Sequence, residues 1–438
     1  MSAPRLRRIV TAYTVNRLGT WIGTIALSLA VYDHTGSGLA VAATLIAAQV
    51  LPAFAVPPVV AKVESSPRRR ELSALYFFEA VTTAALAVLL WHFWLPAVLL
   101  LVALDGTAAL AASALLRTEA ARAGRGELST PDLPAGDGTT LDDTAQAGER
   151  RAAAAINVAF SATFVAGPLA GGALAGGAGA ATALFVDAAT FLVCGALLLD
   201  LHPHVEEAAG ASVRERLRAA WSHINGVPAL RMLLLIQAAA LVFFESAAPI
   251  EVAYAKVTLH AGDRGFGLLV SVWGVGAVLG AVVFARSPTT PLRTMVSAGT
   301  LGVGLAYIGF AAAPTLALAC AAALVGGLGN GVQWAPLVSA VQLLTPPPLQ
   351  GRVMGAVESI GALSPAIGLG LGGILVVLTS PRTAFLVVGI GAAITTVAFM
   401  RVPMAGRPEG TASIPEGSAG GTSRDGEPVI ASVHPPAP

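Results

Sequence analysis

Three charged side chains interrupt otherwise apolar runs and together could carry a proton: Arg17, Glu79 and Asp105. Counted at 1.5 Å per residue from the basic ends of their runs, Arg17 lies about 12 Å deep, Glu79 about 10 Å and Asp105 about 16 Å. Charges at such depth cost several kcal/mol in lipid and face a cavity or a partner. Similar depth on three helices predicts an Arg17–Glu79–Asp105 cluster. Such a cluster is either a static ion pair that locks helix packing or a site where one carboxylate takes up a proton when its arginine moves away. Burial favours the neutral acid and a nearby cation favours the carboxylate, so a moving partner can switch protonation. Further along, Glu245 follows Phe243 and Phe244, and an acid beside aromatic rings suits a cationic amphiphile. Asn16, Phe244, Glu245, Asn330, Gln333, Trp334 and Glu358 are the candidate cavity residues; hydrogen bonding between helices is the competing explanation for the polar ones. Asp187 and Glu251 lie nearer the opposite ends of their runs and read as mouth or gate residues.

Other chemistries find little support. Cys194 and Cys320 both sit inside apolar runs and read as small buried hydrophobes. No metal-ligand spacing, no nucleophile–base constellation and no Gly-Lys-Ser/Thr phosphate loop is present, so no cofactor is expected and the chain is not read as an enzyme. A net charge of +1 provides no concentrated basic face for nucleic acid.

The elements that position these residues are helices in a bilayer. The chain has 438 residues, 55% apolar and only 12% charged, too few charges to cover a normal water-exposed surface. About 20 apolar residues span the hydrocarbon core. Twelve windows qualify, near 9–32, 38–61, 72–91, 95–116, 152–177, 180–199, 230–255, 265–285, 294–313, 315–343, 353–379 and 383–400. Without alternation they cannot be barrel strands, so the fold class is an all-α membrane protein. The first run has no small-residue cleavage pattern and reads as a retained helix. Arginine and lysine concentrate on one side, leaving only Lys256, Arg264 and Arg382 on the other, which predicts both termini in the cytoplasm.

This pattern divides the chain into an N-terminal six-helix bundle over 1–200 and a C-terminal one over 230–404. A cytoplasmic loop over 118–151, a cytoplasmic linker over 201–229 and a disordered tail over 405–438 complete it. The halves repeat weakly. Val59–Lys62 leading to Pro67–Arg68 matches Val282–Arg286 leading to Pro291, and Gly167–Pro168 through Gly171 and Gly172 matches Ser364–Pro365 through Gly368. Paired halves place a central cavity near the bilayer midplane. The glycines also give small-residue faces for close helix approach.

These motifs resemble the major facilitator superfamily, and within it the bacterial exporters grouped with the enterobactin exporter and macrolide efflux proteins. The resemblance rests on Asn16–Arg17–Leu18–Gly19–Thr20–Trp21 and the turn Tyr32–Asp33–His34–Thr35–Gly36–Ser37. It also rests on Gly265–Phe266–Gly267 through Trp273–Gly274 to Gly280, and on Thr345–Pro346 followed by Gln350–Gly351–Arg352. It implies a monomer. It also implies an export motif at Gly167, Pro168, Gly171 and Gly172, and a cytoplasmic gate at Arg68, Arg69, Arg70 and Arg286. Lys62 stands where the family carries an aspartate, which leaves the inner gate to another contact, with Glu64 a candidate.

The expected function is therefore a secondary transporter in the cell inner membrane, an antiporter that exports small amphiphilic compounds such as drugs, siderophores or natural products against a proton gradient. Its partners are the lipid bilayer, a small-molecule substrate and protons. An importer or facilitator of a metabolite, or a sensor of the same fold that does not transport, are the alternatives.

Overall fold

The computed structural model describes residues 3–64, 71–128, 138–199, 221–222, 224–287, 289–345 and 347–400, some by backbone alone. Among these residues there is no strand. The N-terminal half contains α1 (Ala3–Thr35), α2 (Gly38–Glu64), α3 (Glu71–Leu89), α4 (Leu95–Leu128), α5 (Gly138–Ala178) and α6 (Ala180–Leu197). The C-terminal half contains α7 (Pro228–Ala253), α8 (Gly262–Ala285), α9 (Leu292–Ala312), α10 (Leu316–Leu343), α11 (Pro347–Leu378) and α12 (Pro381–Met400). Nine of these helices are long and apolar enough to cross a membrane among the described residues. The described apolar stretches of α2 and α11 are shorter, Gly38–Val50 and Leu363–Leu378. In α1 the apolar run is diluted by Thr14, Asn16, Arg17, Thr20 and Thr24.

The packing repeats with a step of six helices. In the first half α1 packs on α5 and α6, α2 on α4, and α3 on α4 and α6; in the second, α7 packs on α11 and α12, α8 on α10, and α9 on α10 and α12. The halves meet along two seams related by the same step, α5 with α8 and α2 with α11. Lipid provides no hydrophobic drive between helices, so close contact depends on small residues that let backbones approach. A Cβ at Gly172 in α5 would stand 2.6 Å from the carbonyl oxygen of Asp263 and 2.8 Å from the Cα of Gly267 in α8. On the other seam, a Cβ at Gly373 in α11 would stand 2.8 Å from that of Ala42. The seams converge at the end of the bundle where α1 finishes. There Lys256, just past α7, forms ion pairs with Asp33 at the end of α1 and with Asp263 (2.7 Å) at the start of α8.

Two helices are longer than expected. The windows 95–116 and 152–177 lie within α4 of 34 residues and α5 of 41 residues. Within the loop expected over 118–151, residues 118–128 and 138–151 are helical, and 129–137 lie outside the described residues. Ala120, Ala121 and Ala123, alanine being the best helix former, help carry α4 beyond its apolar part. Arg5 of α1 donates to Glu119 on the α4 extension at 2.9 Å, tying the two together. Residues 221–222 and 224–226 of the expected linker are helical. Its remainder over 201–220, and the expected tail over 405–438, lie outside the described residues.

The seam between α8 and α10 gives a direct test of packing by glycine. A Cβ at Gly331 would collide with the carbonyl of Ala277, whereas one at Gly370 meets nothing within 4 Å. Gly331→Val should cost about 1–3 kcal/mol through overpacking and lower the melting temperature in detergent. Gly370→Ala should leave it unchanged. Equal melting curves for the two variants would overturn this account.

Candidate functional site

A cavity of about 700 Å³ opens beside α1, within the range that takes a drug-sized ligand. Its described walls come from α1, α2, α3, α4 and α6 on one side, closed by Gly361 and Pro365 of α11 on the other. The lining mixes apolar residues such as Leu27, Leu86 and Val102 with Asn16, Arg17, Thr20, Gln49, Asp105 and Asp187. Of the candidates expected in a cavity, Asn16 is present. Its amide donates to the Tyr76 hydroxyl at 3.0 Å, and Thr20 donates back to its side-chain oxygen at 3.0 Å. This joins the lining of α1 to α3.

Arg17 and Asp105 both reach the cavity, but the ion pair expected between Arg17 and the acids does not form among the described residues. Arg17 instead lies over the Phe160 ring of α5, 5.3 Å from its centroid, and its buried Nε has no acceptor. Asp105 accepts hydrogen bonds from Thr82 (2.6 Å) and Thr83 (3.1 Å) of α3. Glu79 is fully buried, and neither of its oxygens meets a donor. The physical reason is helix phase. Two residues along a helix of 3.6 per turn point nearly opposite ways. Arg17 turns toward α5, while Gly19 turns toward Asp187 of α6.

Those acids include one that depth alone misplaced. Asp187 of α6, expected at a mouth or gate, lines the cavity and is 5% exposed. Its carboxylate fills a notch left by Gly19 and Gly23; a Cβ at Gly19 would stand 2.6 Å from Oδ1. Asp105 and Asp187 lie near enough for their charges to act on Glu79 and on each other. The N-terminal half therefore gathers three acids, with no cation paired to them among the described residues. The sequence signal for Asp187 was the Gly19–Gly23 pair, one helical turn apart on a helix packed against α6.

The candidates of the second half are elsewhere. Phe244 packs against Trp273 (6.0 Å between centroids), which stacks on Tyr307 (5.8 Å) in a cluster extending to Phe310 and Phe385. Glu245 and Asn330 are half-buried. None of the three is in the described cavity lining. Gln333 donates to Gln237 at 3.5 Å, bracketing a separate void of about 10 Å³, room for about one water. Trp334 and Glu358 are placed in α10 and α11, and their side chains lie outside the described residues, as do those of Lys62 and Glu64 and the whole of Arg68, Arg69 and Arg70. Arg286 is exposed just beyond α8. In the Gly167–Pro168 motif, a Cβ at Gly167 would stand 3.1 Å from Cγ of Trp21 and one at Gly171 3.0 Å from the carbonyl oxygen of Ile22, so these glycines seat α5 on α1.

Glu79 gives a test of this geometry. Glu79→Leu removes two oxygens without partners and should raise stability by about 1–3 kcal/mol, read as a higher melting temperature in detergent. Combining Glu79→Gln with Arg17→Gln should shift stability by the sum of the single effects, within about 0.5 kcal/mol. A larger coupling would mean that the two side chains form an ion pair after all.

Comparison with known proteins agrees with the architecture. The family model of the Major Facilitator Superfamily matches residues 233–432. An uncharacterized MFS-type transporter of Bacillus subtilis (strain 168), YfiS, is 24% identical over 403 residues, covering 88% of this chain and 89% of the relative. Among solved structures, a mutant of the nucleoside transporter NupG superposes with a TM-score of 0.70 at 14% identity, covering 91% of this chain and 99% of that one. A POT family transporter in complex with 5-aminolevulinic acid gives 0.66 at 12% identity, covering 91% and 95%. A bacterial homolog of the human lysosomal transporter Spinster, inward-facing and occupied, gives 0.65 at 14%, covering 91% and 96%. The repeated helix packing and these likenesses together show an all-α membrane fold of the kind those transporters have.

Proposed function

We propose that the protein exports small amphiphilic compounds in exchange for protons, by alternating access of the cavity beside α1. The observation that carries this reading is the wall of that cavity. Asp105 and Asp187 stand on it among apolar residues, with Glu79 behind, and no cation pairs with them among the described residues. Intramembrane acids of this kind mark ion and proton pathways. A carboxylic acid that gains a proton loses its charge and can cross an apolar barrier with the helices that carry it. Glu79 is the candidate carrier because nothing around it satisfies its oxygens, and Asp105 is its neighbour on the cavity wall.

In this reading the protein lies in the plasma membrane as a monomer with both termini in the cytoplasm. The Lys256 ion pairs and the glycine seams close the outer end, while Arg68, Arg69, Arg70 and Arg286 act at the inner one. Rocking of the halves would open the seams and break the pairing of Lys256 with Asp33, which joins the two halves. An exposed pair of this kind contributes about 0–1 kcal/mol, so the latch can release within a transport cycle. A second reading, passage of a more polar metabolite in either direction, is favoured by the Asn16, Thr20 and Gln49 part of the lining.

Expression in an efflux-deficient bacterium tests the direction. Cells carrying the protein should retain several-fold less of at least one fluorescent amphiphile, from a panel of acids, zwitterions and cations, than cells carrying an empty vector. A protonophore should remove the difference, and Glu79→Gln and Asp105→Asn should each remove it at normal expression. Equal retention over a broad dye panel would sink the multidrug form of the reading, and higher retention than the vector control would favour uptake.

A further inference from the structure

The acids occupy one edge of the cavity, and its other edge is built to donate hydrogen bonds. Arg17 and Trp21 are four residues apart on α1, hence neighbours on one helix face, and both line the cavity. Neither makes a side-chain hydrogen bond to the protein among the described residues: the buried Nε of Arg17 and the buried indole N–H of Trp21 both lack an acceptor. Unmade hydrogen bonds on buried donors are expensive, and more so on a charged group. Two such donors, one turn apart on the helix that lines the cavity, are unusual in a packed helix bundle.

Both side chains are nonetheless held firmly. Trp21 packs on Phe164 with ring centroids 4.8 Å apart, Phe164 lies 6.0 Å from Phe160, and Arg17 lies over Phe160. Gly167 leaves the space that Trp21 occupies against α5. The positive charge of Arg117 also acts on Arg17. Asp187, by contrast, is seated at Gly19 and Gly23, around the helix from Arg17. The cavity is thus bipolar across the width of α1.

We infer that Arg17 and Trp21 form a recognition site for an oxyanion of the substrate, so that the compounds taken into this cavity are amphiphilic carboxylic acids or zwitterions. A carboxylate accepts from the guanidinium and from the indole N–H, and the apolar lining at Leu27, Leu86 and Val102 takes the apolar body. A cationic group, where one is present, faces Asp105 and Asp187. This inference rests on the reading that the cavity is the transport site, and its test uses binding, which is independent of transport direction.

The test is equilibrium binding to the purified full-length protein in detergent, followed by dansyl anisotropy. Three matched probes are used: dansylglycine, its methyl ester, and dansylcadaverine. Dansylglycine should bind at least about tenfold more tightly than its ester, the ratio expected for a charge-assisted hydrogen bond. Arg17→Gln should abolish that preference while leaving ester binding within about twofold. Trp21→Phe, which keeps the ring and removes the N–H, should weaken dansylglycine alone by about threefold. If Arg17→Gln does not elute as a monodisperse peak, Arg17→Lys takes its place, with a partial loss of the preference expected. Equal affinity for acid and ester, binding of the amine alone, an equal loss of all probes in the variants, or no binding of dansylglycine would each overturn the inference. Failure of export in cells with dansylglycine binding intact would instead count against the proposed direction.

Discussion

In a bilayer no water is available to satisfy an open amide, and every spanning segment must close its own hydrogen bonds, so the segments become helices. The same solvent removes the hydrophobic drive that would press those helices together, because lipid tails are as apolar as leucine. What remains is contact at short range, and contact at short range needs small residues. Many glycines of the described helices are the consequence. Gly276, Gly280, Gly327 and Gly331 bring α8 and α10 backbone to backbone, and Gly172 and Gly267 do the same for α5 and α8. The shape of the bundle, including the space it leaves open, follows from where those approaches are made and where they stop.

The cavity exists because α1 departs from that pattern. Its middle carries Asn16, Arg17, Thr20 and Thr24, residues too polar for a lipid-facing helix, and it is flanked by neighbours on several sides. Each face of α1 meets a different surface. One face holds an α6 acid in a glycine notch, one is joined to Tyr76 of α3 through Asn16, and one lies on the aromatic rings of α5. A single helix therefore sets the chemical polarity of the whole cavity.

The fold was largely legible because apolar length, basic flanks and repeated glycine motifs report directly on membrane crossing and half-repeats. The places of Arg17, Asn16 and Asp105 within their helices were also legible, since charge or amide inside an apolar run is rare for a physical reason. Their pairing was not. Depth places side chains along the membrane normal, whereas contact also depends on the angle around the helix, and each residue turns that angle by about 100°. Asp187 was misjudged for the same reason, and Trp21 went unnoticed because its N–H matters only once its lack of an acceptor is seen. The stretch over 118–151 read as a loop because of the Pro, Gly and Asp residues over 131–143, although α4 and α5 both extend into it.

The division between glycine seams and cavity wall bears on how such a protein can change over generations. At the seams nearly any added atom meets a carbonyl or a Cα, so most codon changes there will be removed by selection on folding. On the cavity wall, a change at Leu27, Gln49 or Val102 meets space. New cargo can thus be acquired by drift in a few lining positions while the moving parts stay as they are. A lineage of such chains would be expected to diverge in what it carries long before it diverges in how it moves.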